Sequence, residues 1–197
     1  DAPRASGSGT ILAAEPRGPS GGAAWILTAD HLLDATGACR IRLYDADQTQ
    51  VAEGAAVRVA RSEAWDLALV RLPGPVLPRA TALLAERDPP LLAEVVAVGC
   101  PLGLPPIPTR GALVARRPEG WLFSAQTIFG NSGGGVYDAR SGSLVGVATR
   151  LCSFRSDSSG VVPHLGVLVP SAAVADWLRR EGYGRLLAPA DEASEAP

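Results

Sequence analysis

The sequence predicts an all-β protein, and two observations carry that prediction. Short apolar and β-branched runs recur along the chain, separated by Gly, Pro, Asp and Ser, which is typical of a β-sandwich or β-barrel. Few segments carry helical periodicity, and it is clearest in one segment near the C-terminus. The predicted strands lie in GTILAA, AAWILTA, CRIRLY, AAVRVARS, DLALVRL, VVAVG, GALVARR, GWLFSA, GGGVYD, SLVGVAT and LGVLVP.

The helical segment is SAAVADWLRREGYG, which begins at Ser171. Val174, Trp177 and Leu178 repeat on one face, as the buried stripe of a helix requires. Ser171 is the candidate N-cap, and Gly182 follows two arginines as a stop signal. A C-terminal helix therefore closes an otherwise β chain.

A proline-rich segment, LPGPVLPRATALLAERDPPLL, divides the chain near residues 80 to 90. We expect an N-terminal unit over 1–85 and a C-terminal unit over 86–182, together forming one functional domain. The acidic Ala/Pro-rich segment 183–197 predicts a disordered tail.

Composition excludes several classes of protein. The net charge is -2 and basic residues do not cluster, so nucleic acid is not expected as a partner. No apolar run approaches the roughly 18 to 20 residues of a membrane span. All 18 basic residues are arginine, Asn131 is the sole asparagine and methionine is absent, a composition that fits a heat-adapted, thermostable protein.

The cysteines do not indicate a metal site. Cys39, Cys100 and Cys152 fit no zinc spacing, and they leave two alternatives: three free thiols, or one disulfide and a free thiol. No metal and no cofactor are expected.

The segment GNSGGG surrounds Ser132 with glycines, which gives a serine hydroxyl room to react. A serine needs a base, and histidine is the usual one. The chain has two histidines, His31 and His164. Asp66 lies between Trp65 and a buried strand, where a carboxylate needs a partner such as His31.

Two catalytic templates compete for Ser132. Gly130, Ser132 and Gly134 spell the nucleophile elbow of an α/β-hydrolase, with Asp157 and His164 in the matching order. That elbow must lead into a helix, whereas GGGVYDARSGSLVGV predicts two further strands. The order histidine, aspartate, serine belongs instead to all-β serine proteases, and the chain supplies it.

Seven blocks in order resemble those of a trypsin-like serine protease, closest to the HtrA/Deg group, from about residue 7 to 180. They are GSGTIL, WILTADHLL, DLALVRL, AVGCPLGLPPIPTRGALVA, GNSGGGVYD, LVGVATR and LGVLVPSAAVADWL. The resemblance implies two six-stranded antiparallel β-barrels with a cleft between them. His31 and Asp66 would lie in the first barrel and Ser132 in the second. No block typical of a PDZ domain follows, so none is expected.

The same resemblance implies a role for each site residue. Ser132 would attack the scissile carbonyl, His31 would act as base and then acid, and Asp66 would orient His31. The backbone N–H groups of Gly130 and Ser132 would form the oxyanion hole. Phe129, where a small or polar residue is common, would lie beside that hole and could hold its loop in an inactive shape.

The resemblance also implies a pocket for the residue before the scissile bond (P1). The pocket residues would be Gln126 and Thr127 at the base, Ala148, Thr149 and Arg150 on the wall strand, and Gly166 opposite. Because no carboxylate stands at the base, a small or medium uncharged P1 residue is expected. Arg150 and His164 would instead favour an acidic one.

We therefore expect a metal-independent serine endopeptidase that acts on polypeptides through His31, Asp66 and Ser132. The resemblance further implies a bacterial or bacterial-virus source, an extracytoplasmic location and a possible homo-oligomer. Two alternatives stay open, a catalytically silent binding or structural module on the same fold and a serine esterase.

Overall fold

The computed structural model describes residues 5–15, 22–74, 84–85, 87–153 and 160–187. Its strands are β1 Thr10–Glu15, β2 Ala23–Ala29, β3 Ala38–Tyr44, β4 Gln50–Ser62, β5 Leu67–Pro73, β6 Glu94–Gly99, β7 Ile107–Ala115, β8 Trp121–Phe123, β9 Gly135–Asp138, β10 Leu144–Ser153 and β11 Val161–Pro170. One α-helix, α1, spans Ser171–Arg180, and short 3₁₀ turns lie at Asp30–Leu32, Pro101–Gly103 and Gly184–Leu187.

The first five strands form one antiparallel sheet in the order β1-β2-β5-β4-β3. β2 and β5 lie at its centre and are almost fully buried. Their mainly apolar sequences, AAWILTA and LALVRLP, match that position, because a strand covered on both faces reads as a continuous apolar run. One face packs Ile26, Leu43 and Val70 into a core of its own.

The last six strands close into a barrel in the order β10-β11-β8-β7-β6-β9. Its interior contains Val95, Leu113, Phe123, Val136 and Leu168, each fully buried. The predicted all-β class, with a six-stranded barrel and a C-terminal helix, is confirmed. In the described residues the N-terminal half is a five-stranded sheet rather than the expected six-stranded barrel, because β1 and β3 are its two edges.

A third core joins the two halves and the helix. Trp25 and Leu67 from the sheet, Leu144 from the barrel, and Trp177 and Leu178 from α1 belong to one buried cluster. Burying a large apolar side chain contributes roughly 1.5 to 3 kcal/mol. This cluster therefore fixes the position of the sheet relative to the barrel. The shape of any cleft between them is set by that position.

The helix is confirmed, but its predicted cap is wrong. Pro170 is the N-cap, with extended dihedrals and no side-chain cap hydrogen bond. Ser171 is the first helical residue and is buried, because β11 runs directly into the helix. None of the described helices is long and apolar enough to cross a membrane.

The predicted tail begins too early. Gly184–Leu187 forms a 3₁₀ turn, and Leu186 is only 6% exposed in the core shared by the two halves. Apolar burial therefore orders this part of the segment predicted to be a tail, and residues 188–197 lie outside the described residues. The expected boundary at residue 85 falls between the sheet, which ends at Pro73, and the barrel, which begins at Glu94.

Candidate active site

The ends of two paired strands bring His31 and Asp66 together. β2 and β5 pair with Ala29 opposite Leu67, so the residues after β2 lie beside the residue before β5. Asp30 N–H donates to the Asp66 carbonyl oxygen over 3.1 Å. The 3₁₀ turn that contains His31 is thereby held against Asp66.

Asp66 binds His31 at two points. The Nδ1 of His31 lies 2.6 Å from Asp66 Oδ2, and the His31 backbone N–H donates to Oδ1 over 2.9 Å. Asp66 has a φ of 52°, in the left-handed region that few residues other than glycine adopt. With Nδ1 facing a carboxylate oxygen, the imidazole keeps its proton there and leaves Nε2 as the acceptor.

The electrostatic surroundings raise the pKa of His31 above its ordinary 6.5, chiefly through the hydrogen bond to Asp66. Burial opposes this rise, while the charges of Asp66 and Asp30 add to it. Asp30 is itself paired with Arg58 at 2.9 Å, and both of these side chains are only 15% exposed. The histidine therefore lies on a turn that a largely buried ion pair holds in place.

Ser132 lies in the turn before β9, and the glycines around it are required by space and backbone conformation. Gly130 and Gly133 have φ of 98° and 88°. A Cβ on Gly130 would lie 2.5 Å from the Cys100 carbonyl oxygen, and one on Gly133 would lie 2.1 Å from the Ser8 carbonyl oxygen. No other residue fits either position without moving the backbone.

The hydroxyl of Ser132 donates to the Thr149 carbonyl oxygen over 3.3 Å. Within the described residues it makes no hydrogen bond to His31. The backbone N–H groups of Gly130 and Ser132 likewise donate to no acceptor in the described part of the chain. Two unused donors beside a serine are what an oxyanion hole requires.

Ser8 links the N-terminal segment to this turn, and sequence reasoning missed its part in the site. Its N–H donates to the Ser132 carbonyl oxygen over 2.7 Å, and its hydroxyl donates to the Gly130 carbonyl oxygen over 2.6 Å. The same hydroxyl accepts from Cys100 N–H, and the Ser8 carbonyl accepts from Thr28 Oγ1, each over 2.7 Å. Ser8 is 6% exposed. The glycines on either side of it in GSGT were the only local signal.

The predicted P1 pocket residues are only partly brought together. Gly166 lies opposite Phe123 in the barrel, and a Cβ there would be 3.1 Å from Thr127 Oγ1. Thr127, Ala148 and Thr149 are buried, whereas Gln126 is exposed. A cavity of about 10 Å³ lies behind the serine turn, lined by Thr127 and Ala148 among others. Thr127 and Gly166 thus share a neighbourhood, and Gln126 lies at the surface.

Arg150 points away from these residues. Its Nη2 donates to the Glu119 backbone oxygen over 2.5 Å. His164 is exposed on β11, and Asp157 lies outside the described residues. Ser132 leads into β9 rather than into a helix, so the α/β-hydrolase elbow is wrong for this fold.

The cysteines follow the first of the two alternatives left by the sequence. Cys39, Cys100 and Cys152 are free thiols, and burial raises the pKa of each. Among the residues that the structure describes, no group of three or more His, Cys, Asp or Glu is placed to hold a metal ion. The Phe129 side chain is 65% exposed, and its carbonyl oxygen accepts from Leu102 N–H over 3.0 Å, so the ring does not fill the turn.

A family model described as the trypsin-like peptidase domain matches residues 7–147. That match spans most of the chain and includes His31, Asp66 and Ser132. The chain belongs to the trypsin-like peptidase family. The family match also includes Ser8 of this peptidase, whereas residues beyond position 147, such as Arg150, lie outside the match.

Among solved structures, the peptidase is similar to one titled "HtrA-type protease AlgW with decapeptide", with a TM-score of 0.64 and 25% sequence identity. The alignment covers 84% of this chain and 52% of the other, so the peptidase spans about half the length of that protein. No curated protein matches the chain. The family and the structural similarity support a protease with a chymotrypsin-like fold.

Proposed function

We propose that the chain is a serine endopeptidase in which His31, Asp66 and Ser132 form the catalytic triad. The observation that carries this proposal is the double contact of Asp66 with His31, through the ring at 2.6 Å and the backbone at 2.9 Å. A merely structural histidine needs one partner. Two contacts fix the ring's rotation as well as its tautomer, which is what a general base requires.

The first chemical step begins when the Ser132 side chain rotates away from the Thr149 carbonyl oxygen toward His31. Nε2 of His31 accepts the hydroxyl proton as Ser132 Oγ attacks the scissile carbonyl carbon. Asp66 stabilises the resulting imidazolium through the same hydrogen bond that raises the pKa of His31 in the free protein. The side-chain rotation is a fast rotamer change that leaves the backbone in place.

The tetrahedral intermediate places its negative oxygen at the N–H groups of Gly130 and Ser132. His31 then donates its proton to the leaving amine, which gives an acyl-enzyme on Ser132 and a free new N-terminus. A water molecule, deprotonated by His31, releases the acyl group. Losing one donor of such a hole typically costs on the order of 10² to 10³ in rate.

The substrate is an extended polypeptide that pairs with β10 beyond Ala148. β9 pairs with β10 only between Leu144 and Val147, so the same edge is open further along the strand in the described residues. Thr127 and Gly166 face the first residue before the cleaved bond, and the lack of a carboxylate there favours a small or medium uncharged side chain. Because Arg150 is turned toward Glu119, it does not select an acidic P1 residue.

The test is covalent labelling by a fluorophosphonate probe, followed by mass spectrometry of a peptide mixture for new termini. Ser132→Ala and His31→Ala should abolish labelling and cleavage. His164→Ala is the matched control, because His164 is the other histidine and is exposed. Labelling that persists in His31→Ala, or that maps to another serine, would overturn the triad.

One observation favours a second candidate, a silent peptide-binding module. In the described residues the Ser132 hydroxyl donates a hydrogen bond to the Thr149 carbonyl oxygen and none to His31. A folded protein that binds peptides but is neither labelled nor cleaves would select this candidate. An extracytoplasmic location and a homo-oligomer stay predictions, to be checked by fractionation and by sedimentation.

A further inference from the structure

A cavity of about 280 Å³ opens on the outer face of the barrel beside the candidate active site. Its floor is a row across three strands, in which Leu122 pairs with Val167 and Val167 pairs with Arg150. Phe123 and Leu168, the next residues along β8 and β11, are fully buried inside the barrel. Because side chains alternate along a strand, the row faces outward.

Two arginines give this cavity a positive wall. Arg150 is held over it by the hydrogen bond to the Glu119 carbonyl oxygen, and Arg117 lines it from the turn between β7 and β8. The charges of both arginines act to lower the pKa of the Cys152 thiol, although burial raises it more. Both arginines are among the residues that line the cavity, as is Cys152.

No ion pair with a carboxylate neutralises either arginine within the described residues. The ion pairs there involve six other arginines, and Arg117 and Arg150 are among those left without one. Glu119 is the one acidic residue in the lining, against two arginines. The cavity thus keeps a net positive charge together with an apolar floor, which suits a side chain with a short apolar stem and a carboxylate.

The position of the cavity relative to Ser132 indicates which side chains of a bound peptide can enter the cavity. Thr149, whose carbonyl oxygen accepts from Ser132 Oγ, directly precedes Arg150 on β10. A peptide added antiparallel to the open edge of β10 has its cleaved bond at Ser132 and its N-terminal residues near Cys152. The side chain of the first residue before the cleaved bond points toward the barrel near Thr127. Because side chains alternate along a strand, those of the second and fourth residues before the bond point outward beside Arg150.

We propose that this cavity is a subsite for an acidic side chain at the second or fourth residue before the cleaved bond. The assignment rests on the proposed function for the position of the bond, while the binding of the acid itself does not require turnover. Arg117 and Arg150 each offer a planar guanidinium that matches a carboxylate. An uncharged residue at P1 and an acid one or three positions before it, at the second or fourth residue before the cleaved bond, would define the preferred sequence.

The test uses Ser132→Ala as a non-cleaving background and peptides that differ only by Glu or Gln at one of the four positions. Fluorescence polarisation at low and high salt measures their affinities. We expect Glu at the second or fourth position to bind about 3- to 10-fold more tightly at low salt, and the difference to shrink with added salt. Equal affinities at both positions, including no measurable binding of either peptide, would overturn the subsite.

Arg117→Gln and Arg117→Glu test the assignment to this cavity. Arg117→Gln should remove most of the preference for Glu, and Arg117→Glu should reverse it. Arg140→Gln is the matched control, because Arg140 is exposed in the β9–β10 turn at the other end of β10. If the preference for Glu persists in both Arg117 variants, the Glu side chain binds another surface and the proposal is overturned.

In the cleaving protein, Arg117→Gln should lower the ratio of kcat/KM for the Glu peptide to kcat/KM for the Gln peptide, whereas Arg140→Gln should leave that ratio as it is in the parent protein. If no peptide is cleaved but the affinities behave as expected, the endopeptidase proposal fails and the subsite stands. If peptides are cleaved without any preference for Glu at these positions, the subsite fails and the endopeptidase proposal stands.

Discussion

The Ser8 hydroxyl donates to the Gly130 carbonyl oxygen over 2.6 Å, and the Ser8 N–H donates to the Ser132 carbonyl oxygen over 2.7 Å. Each of these two carbonyls belongs to a residue whose own N–H group would bind the oxyanion. Ser8 also receives a hydrogen bond from Thr28, three residues before His31. One buried serine therefore holds the turn of Ser132 and touches the strand that leads to His31.

Ser8→Ala is predicted to lower kcat while leaving KM nearly unchanged. Loss of the hydroxyl leaves Cys100 N–H and the Gly130 carbonyl without a partner, at a cost of about 1 to 3 kcal/mol in stability. A displaced turn should slow fluorophosphonate labelling by roughly 10- to 100-fold. Ser6→Ala is the control, because Ser6 is exposed two residues away. A variant with lower thermal stability but an unchanged labelling rate would limit Ser8 to a structural role.

Asp66→Asn should lower kcat by about 10⁴-fold, because an amide in place of the carboxylate favours the wrong tautomer of His31. The same change removes the main cause of the raised pKa of His31, while burial continues to lower it. Titration of the histidine ring protons by NMR should therefore show a lower His31 pKa in the variant. An identical pKa in both proteins would contradict the contact between the two side chains.

Reactivity at Ser132 should rise with pH, with a midpoint above 6.5. In the proposed triad the hydroxyl needs neutral His31 as base, and the pKa of His31 is raised from 6.5 by Asp66. The rate of labelling, measured as a function of pH, gives this midpoint directly. A midpoint below 6.5 would mean that burial, and not Asp66, dominates the environment of the ring.

The same rise in the pKa of His31 makes the stability of the fold decrease as the pH rises, whereas it makes reactivity increase. Because the folded protein binds the proton more tightly than the unfolded chain, His31 stabilises the fold fully below about pH 6.5, and this contribution is lost as pH rises through the folded pKa. Urea unfolding of the wild type and of His31→Gln over a pH series should show a stability difference that declines with rising pH. A difference that grows with pH would contradict the direction of the shift.

Gly133→Ala should prevent the serine turn from forming. Gly133 has a φ of 88°, and a Cβ there would lie 2.1 Å from the Ser8 carbonyl oxygen. We expect a loss of roughly 3 kcal/mol or more in the free energy of unfolding, together with loss of labelling. Gly142→Ala is the matched control, since Gly142 has a φ of 72° and open space around it. That control should cost only about 1 to 2 kcal/mol.

Local patterns in the sequence were enough to predict the strands, the helix face and the approach of His31 to Asp66. The sequences of β2 and β5 are apolar runs. His31 lies two residues after the first run, and Asp66 lies directly before the second. The hydrogen bonds of Ser8 could not be predicted in this way, because the bond to Gly130 joins residues 122 positions apart. A buried serine between glycines looks locally like any tight turn.

Other features depended on packing that no local signal reports. Ser171 is a good cap by residue type, yet β11 runs into the helix through Pro170 and leaves the serine buried. The sequence RLLAPADEASEAP reads as a tail, although Leu186 reaches the core made by the two halves. Arg117 and Arg150 come together only because β8, β11 and β10 are neighbours in the barrel.

The shared core also bears on the order in which the protein folds. Trp25, Leu144 and Trp177 pack in one cluster, although Trp25 and Trp177 lie far apart in the sequence. Contacts between such distant segments form only after a long loop has closed, and closing that loop costs entropy. We therefore expect the placement of His31 relative to Ser132 to be set late in folding, when α1 packs against both halves.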